Sequence, residues 1–201
     1  MQIERITPLQ IPEIKTIKFK VFEDIRGYFT ETFRQSQLSP LINSTIVQAN
    51  ESRSIQGTLR GLHFQWNPYM GKLVRSLEGE FVDLVLDIRL GSPTFGKIVT
   101  HTLNPLNQEW IWVPPGFAHG MYALTDCKME YLCTGEYNQS CEAGIHPLDL
   151  NIDWSLVGKG PSDSPFRHYT HLLLSEKDSK NPTLSGWLKD QRSENFIYGK
   201  C

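Results

Sequence analysis

Phe81-Val82-Asp83-Leu84-Val85-Leu86-Asp87-Ile88-Arg89 is the stretch on which the fold class turns. Its even positions, Val82, Leu84, Leu86 and Ile88, are all aliphatic, while the odd positions carry Phe81, Asp83, Val85, Asp87 and Arg89. A period of two with a different chemistry on each side marks a β-strand with two unlike faces. Just upstream, residues 72–77 form a second strand candidate, and Glu78-Gly79-Glu80 has turn composition, so the pair is expected to be a hairpin. Downstream, residues 97–103, 109–113, 119–123 and 128–134 repeat the pattern, separated by NPLN, VPPG and LTD. Helix signals are sparse. Residues 36–42 suit a short helical turn, and Ser175-Glu176-Lys177 suits a helix in the tail. Short strands at regular spacing predict an antiparallel sandwich or barrel. The β core is expected over about residues 15–155, with a less regular segment over 156–201, all in one domain spanning 1–201.

A chain of 201 residues supports one sizeable core and not comfortably two. With 39% hydrophobic and 21% charged residues, its composition is globular rather than disordered. Twenty Lys and Arg against 22 Asp and Glu leave a net charge of −2, which gives no electrostatic case for nucleic acid or a polybasic membrane patch. WIWVPPGF, at 110–117, is among the longest apolar runs, and Pro114 and Pro115 interrupt it well short of a membrane span. Glu4 and Arg5 fall where a secretory signal needs an apolar stretch, so a cytoplasmic protein is expected. Cys127, Cys133, Cys141 and Cys201 show no C-x-x-C spacing and are too sparse for a disulfide scaffold, which favours reduced thiols.

A purely structural barrel fills its interior with Val, Ile, Leu and Phe. This chain threads polar residues through its strands instead. In FEDIRGYFTETF, at 22–33, Phe29, Glu31 and Phe33 share a strand face, which puts the carboxylate at a sheet edge or buries it with a partner. Gln48, Asn50 and Ser52 alternate in QANES, Arg60 and His63 follow in GTLRGLHFQ, and Lys72 and Arg75 lie on KLVR. Singly, each has a bland reading as a solvated or hydrogen-bonded side chain. As a set they fit a barrel mouth that holds a polar, anionic ligand. Arg60 and His63 have opposite parity, so Gly61 between them is expected to mark a bulge that turns both inward.

Pro114-Pro115-Gly116-Phe117-Ala118-His119 has the form P-x-G-x-x-H, which resembles the second signature of the cupin superfamily of jelly-roll barrels. A metal-bearing cupin also shows His-x-His and a Glu in its first signature. Here that region is Gly61-Leu62-His63-Phe64-Gln65, with a single histidine. Two imidazoles are too few for tight Zn or Fe binding, so no metal site is expected, and His119 is read as a polar-site or packed turn residue.

FEDIRGYFTETF, QANESRS, GTLRGLHFQ, GKLVR, EGEFVDLVLDIR, SPTFG, WIWVPPGFAHGM and EYLCTGEY run in order through residues 22–137. Together they resemble the dTDP-4-dehydrorhamnose 3,5-epimerases, cofactor-free cupin enzymes of dTDP-rhamnose biosynthesis. The resemblance implies an all-β, antiparallel jelly-roll (cupin-like) barrel with a short irregular or helical C-terminal segment. It implies inversion of the two carbons that flank the C4 ketone of dTDP-4-keto-6-deoxyglucose, without a cofactor. Abstracting such a proton needs a base, a stabiliser for the enolate oxygen and an acid on the opposite face. The resemblance assigns these to His63, Lys72 and Tyr131, with Asp178 orienting the imidazole. It assigns nucleotide-sugar contacts to Phe22, Arg26, Phe29, Glu31, Gln48, Asn50, Arg60, His119 and Tyr137, several of them across a homodimer interface. Phe22, Phe29 and Tyr137 suit a pyrimidine face, and Arg26 and Arg60 a diphosphate. Asp83, Asp87 and Arg89 are read as internal pairs, SPTFG as a turn, and Trp110 and Trp112 as core or rim.

The match has departures. Ile145-His146-Pro147-Leu148-Asp149 replaces a Trp-Asn-Asp stretch, Met121 replaces an aromatic, and GKGPSDSPFRHYTHL, at 158–172, is an insertion. All are expected near the rim, where sugar and base specificity are set. Two alternatives therefore stand beside the 3,5-epimerase: a mono-epimerase acting at C3 or C5 alone, and a catalytically silent sugar-nucleotide-binding cupin.

Overall fold

The computed structural model describes residues 2–150 and 172–201. Along the chain run β1 (Ile3–Pro8), β2 (Lys15–Phe19), β3 (Val21–Asp24), β4 (Gly27–Thr30), helix α1 (Gln35–Ile42), β5 (Gln48–Ser54), β6 (Thr58–Gln65), β7 (Lys72–Glu78) and β8 (Phe81–Asp87). There follow β9 (Ile98–Leu103), β10 (Glu109–Val113), β11 (Phe117–Ala123), β12 (Cys127–Cys133), β13 (Glu142–Gly144), β14 (Leu173–Leu174), α2 (Glu176–Ser179) and α3 (Leu184–Trp187). One sheet has the order β1-β2-β10-β7-β12-β5, and the other β13-β6-β11-β8-β9, with β14 joining β6 in parallel. The two sheets pack face to face in the antiparallel jelly-roll architecture, and β1 extends the first sheet ahead of residue 15.

Strand β8 shows why the pattern at 81–87 is two-faced. Val82, Leu84 and Leu86 face outward from the sandwich, onto a cluster with Leu62, Phe64 and the C-terminal residues Trp187 and Phe196. Phe81 and Val85 point between the sheets, meeting Val74, Ile111, Val113 and Met129 of the opposite one. Both faces are therefore dry, and β8 is buried along its whole length. On the far side of the first sheet, Ile17, Phe19, Leu73, Trp110 and Trp112 are covered by Leu38 and Ile42 of α1. That makes both tryptophans core.

The expected hairpin at 72–89 is not formed. β7 pairs with β10 and β12, whereas β8 pairs with β9 and β11. The Glu78-Gly79-Glu80 turn does exist, with Gly79 at φ +66° and a Cβ there colliding with the Asp126 carbonyl, but it carries the chain from one sheet to the other. A tight turn fixes a reversal of direction, and the choice of sheet belongs to the partner strands.

Asp87 and Arg89 form the expected internal pair, with Nε–Oδ1 at 2.9 Å and Nη2–Oδ2 at 2.8 Å. Ser92 and Thr94 of the SPTFG turn each donate to Asp87 Oδ2 at 2.6 Å. The segment around Glu31 differs from expectation. β4 ends at Thr30, so Phe29, Glu31 and Phe33 do not share a strand face, and β3–β4 is a separate two-stranded ribbon. Glu31 instead accepts from Arg34 Nε and Nη2, both at 2.7 Å. In the tail, α2 begins where Ser175 caps it by accepting from the Asp178 N–H. The expected insertion at 158–172 lies outside the described residues except for Leu172. Among the described residues, no helix is long and apolar enough to cross a membrane.

Candidate active site

The site begins with the parity problem at Arg60 and His63. Along the β6–β11 ladder His63 pairs with His119 and Arg60 with Met121, so Gly61 and Leu62 together oppose the single residue Gly120. That is a β-bulge. Gly61 sits at φ +93°, and a Cβ on it would lie 2.6 Å from the His119 carbonyl oxygen, so glycine is what the close approach allows. The extra residue restores a common direction: Arg60 and His63 both line a cavity of about 520 Å³ between the sheets, along with Lys72, His119, Tyr131 and Asp178. A second lobe of about 250 Å³ adds Gln48, Asn50, Gln65, Tyr137 and Glu142. His63, Lys72 and Tyr131 line both lobes and so mark their junction.

His63 Nε2 and Asp178 Oδ1 are 2.5 Å apart, and the Gly61 N–H donates to Asp178 Oδ2 at 3.2 Å. Asp178 is buried, and burial alone pushes its carboxyl pKa up. The His63 hydrogen bond and charge, with the Gly61 and Ser175 bonds, outweigh that and hold it below the ordinary range. An ionised carboxylate only accepts, so the imidazole hydrogen belongs on Nε2 and the Nδ1 lone pair is left as a base. Asp178 also clamps the bulge itself, because one of its oxygens holds the backbone of Gly61.

Tyr131 lies on β12 of the other sheet, paired with Asn50 and Val74. Burial pushes its phenol pKa up, Cys133 and Glu142 add to the shift and Arg60 opposes it, so the hydroxyl keeps its proton at neutral pH. Lys72, at the start of β7, is half-buried. Burial drives its pKa down, against the pull of Cys133, Glu142 and Asp83. Across the cavity, His119 Nε2 lies 2.7 Å from Asp83 Oδ1, a second histidine–carboxylate pair, both members buried. The arrangement sets an imidazole on one sheet and a phenol and an ammonium on the facing one, all lining one cavity, which suits transfer of protons to and from opposite faces of a bound ring.

The sequence-derived contact residues divide into two groups. Gln48, Asn50, Arg60, His119 and Tyr137 line the cavity. Arg60 is held in place by Ser54 Oγ at 2.8 Å and the Arg53 carbonyl at 3.0 Å, and Gln48 Oε1 accepts from the Tyr137 N–H at 2.8 Å. Phe22, Arg26, Phe29 and Glu31 line neither lobe. Phe22 and Phe29 are exposed on the β3–β4 ribbon, where Arg26 pairs with Asp24. No group of three His, Cys, Asp or Glu side chains among the described residues is placed to hold a metal ion, and all four cysteines are free thiols.

The family model for dTDP-4-dehydrorhamnose 3,5-epimerase matches residues 8–186. The chain belongs to that family. It is similar to the dTDP-4-dehydrorhamnose 3,5-epimerase of Sinorhizobium fredii, 41% identical over 182 residues, covering 88% of this chain and 87% of the relative. A crystal structure of a dTDP-6-deoxy-D-glucose-3,5-epimerase from Legionella pneumophila, in complex with dTDP-4-keto-L-rhamnose, superposes with a TM-score of 0.83 at 40% identity, covering 96% of this chain and 97% of that one. A dTDP-4-dehydrorhamnose 3-epimerase of Streptomyces niveus is 33% identical over 86% of this chain and 84% of its own. Membership of the family makes the protein an isomerase.

Two cavity residues of this epimerase-family chain escaped the sequence reading. Glu142 Oε2 accepts from Lys177 Nζ at 2.6 Å and from the Tyr137 hydroxyl at 3.0 Å, joining β13 to α2 across the mouth of the site. Glu142 lies outside every motif run, and only the adjacency of Lys177 to Asp178 hinted at either. Two residues among the departures from the family pattern also sit deeper than expected. Met121 is buried in the cavity wall, and Ile145 is fully buried, its backbone exchanging hydrogen bonds with Leu62 beside the bulge. Neither is a rim residue, because both belong to segments that pair with the bulge and its partner strand.

Proposed function

We propose that the protein inverts C3 and C5 of dTDP-4-keto-6-deoxyglucose, with His63 as base and Tyr131 as acid. The single observation that carries this reading is that the two side chains come from facing sheets and line both lobes of one cavity. A ketone acidifies the hydrogens on its two neighbouring carbons. His63 Nδ1 takes one of them, and Asp178 supports the imidazolium that forms, as a carboxylate does in a hydrolase triad. The electron pair moves into the C4 carbonyl, and the enolate oxygen is met by the Lys72 ammonium. Tyr131 then delivers its proton to the carbon from the other side, which inverts it. His63 has gained a proton and Tyr131 has lost one, so exchange with solvent resets both.

In the same reading Tyr137, Gln48 and Asn50 receive the pyrimidine, and Arg60 receives the diphosphate. Phe22, Arg26, Phe29 and Glu31 serve a neighbouring copy across a homodimer interface. Support comes from the ribbon that carries the first three, where Phe22, Ile25 and Phe29 stand open to solvent on one chain. Sedimentation of the protein and of Phe22→Asp/Phe29→Asp tests the pairing; a wild-type monomer refutes it. The cytoplasm is the compartment in which this substrate chemistry is expected.

The decisive experiment is deuterium uptake from heavy water into the keto-sugar. Exchange at C3 and C5 is expected, and it is abolished in His63→Asn while thymidine diphosphate still binds. Substantial exchange by that variant removes His63 from the mechanism. A mono-epimerase is the second reading, favoured by the similarity to a 3-epimerase; exchange at one carbon alone selects it. Calorimetric binding of the nucleotide sugar with no exchange at either carbon selects the silent cupin, against which the assembled His63–Asp178 pair argues.

A further inference from the structure

Asp83 sits in the middle of β8, fully buried, on the face whose Phe81 and Val85 point between the sheets. Its Oδ1 is engaged by His119 Nε2 at 2.7 Å, while Oδ2 is buried without a hydrogen-bond partner. A buried carboxylate with half of its acceptor capacity unused demands a counter-charge. Lys72 enters the cavity from the facing sheet, and among the described residues its ammonium makes no hydrogen bond or ion pair. Asp83 is one of the groups that sustain the charge on Lys72 against burial. An acceptor lacking a donor and a donor lacking an acceptor thus belong to strand faces that look at each other between the sheets.

We propose that Asp83 is a positioning residue for the epimerisation, fixing His119 through Oδ1 and drawing the Lys72 ammonium toward the reacting ketone through Oδ2. The inference rests on the reading that Lys72 meets the enolate. Without the carboxylate, Lys72 loses one of the charges that draw it toward the second sheet and keep it protonated. The groups that face it are Tyr131 and Cys133 on β12, His63 on β6, His119 on β11, Glu142 on β13 and Asp83 on β8. Of these, Asp83 is the carboxylate with a buried oxygen that lacks a hydrogen-bond partner.

Asp83→Asn keeps the volume and an acceptor for His119 but removes the charge. Turnover is expected to fall about tenfold or more with KM changed less than about threefold, and the basic limb of the kcat profile moves to lower pH by about one unit. In a Lys72→Met background the same substitution costs less than about twofold, because the residue it acts through is gone. Wild-type turnover, an unmoved basic limb, or equal losses in the two backgrounds overturns the proposal. Absence of exchange in the wild type would instead indict the function proposed above. Should Asp83→Asn not fold, the Lys72→Met background supplies an activity-independent readout. Lys72→Met removes the counter-charge of a buried carboxylate, so adding Asp83→Asn to it is expected to leave the melting temperature unchanged or raise it, and a further fall overturns the pairing.

Discussion

Asp178→Asn exchanges one oxygen for an NH2 with no change in volume, and the hydrogen-bond partners of Asp178 decide its effect. The two carboxylate oxygens receive two N–H donors, His63 Nε2 at 2.5 Å and Gly61 N at 3.2 Å. An amide must turn its NH2 toward one of them. Turned toward Gly61, it strands a buried backbone donor, at a cost of about 1–3 kcal/mol. Turned toward His63, it donates to Nε2 and moves the ring hydrogen to Nδ1, and both hydrogen bonds survive. The second orientation is the less costly, so the variant folds with its base in the wrong tautomer. The equivalent substitution in the serine-protease triad costs about 10⁴-fold in kcat, and a loss of about 10³- to 10⁴-fold in exchange, about 4–5.5 kcal/mol of barrier, is expected here. Replacing a charged hydrogen bond by a neutral one costs about 1–2 kcal/mol of stability, or roughly 2–8 °C in Tm for a chain of this size. The His63, Gly61 and Ser175 interactions hold the Asp178 carboxyl below its ordinary range, overcoming burial. Its contribution is therefore complete above the unfolded value of about 3.9 and is lost as pH falls through the depressed native one, so the Tm gap between wild type and variant closes below about pH 4. Proton NMR of the keto-sugar in heavy water measures exchange, and thermal melts at pH 7 and below 4 measure the gap. A folded variant that keeps more than about a tenth of wild-type exchange refutes the tautomer argument.

Tyr131→Phe removes the phenol and leaves the base, so inverted product is expected to fall by about 10²- to 10³-fold while deuterium uptake stays within about tenfold of wild type; parallel loss of both, followed by NMR of product configuration, contradicts its role as the acid. Gly61→Ala places a Cβ 2.6 Å from the His119 carbonyl oxygen at φ +93° and is expected to cost about 2–4 kcal/mol, read as a depressed Tm. A variant with wild-type Tm and exchange would show that the bulge tolerates a side chain. Arg89→Met leaves the buried Asp87 carboxylate facing only hydroxyls and its backbone contact, at a cost of about 3–5 kcal/mol by denaturant titration at pH 7. Burial raises the Asp87 carboxyl pKa, but Arg89, Ser92 and Thr94 together hold it low in the native protein, so that cost shrinks as pH falls below about 4, and a pH-independent cost contradicts the pairing.

Local chemistry made much of this molecule readable. The alternation at 81–89 announced a strand with two unlike faces because side-chain parity is a property of the backbone itself. The opposed parity of Arg60 and His63, with glycine between them, required a bulge for the same reason. The PPG and EGE segments announced turns because Pro and Gly restrict or release φ wherever they stand.

Which strands meet was decided only in three dimensions. β7 turns tightly into β8 yet pairs with β10 and β12, because a strand's partners are chosen by the apolar surface they bury together and not by proximity in the chain. The reading of 29–33 as one strand face failed likewise: no neighbouring strand extends the ladder beyond Thr30, and Glu31 turns to Arg34. Asp178 reaches His63 across 115 residues of sequence, and Lys177 reaches Glu142 across 35, through a tail whose position depends on Trp187 and Phe196 docking on the back of β8. Residue types and their parity are local quantities and stay in the sequence, whereas the approach of a carboxylate to an imidazole depends on the packing of every layer between them.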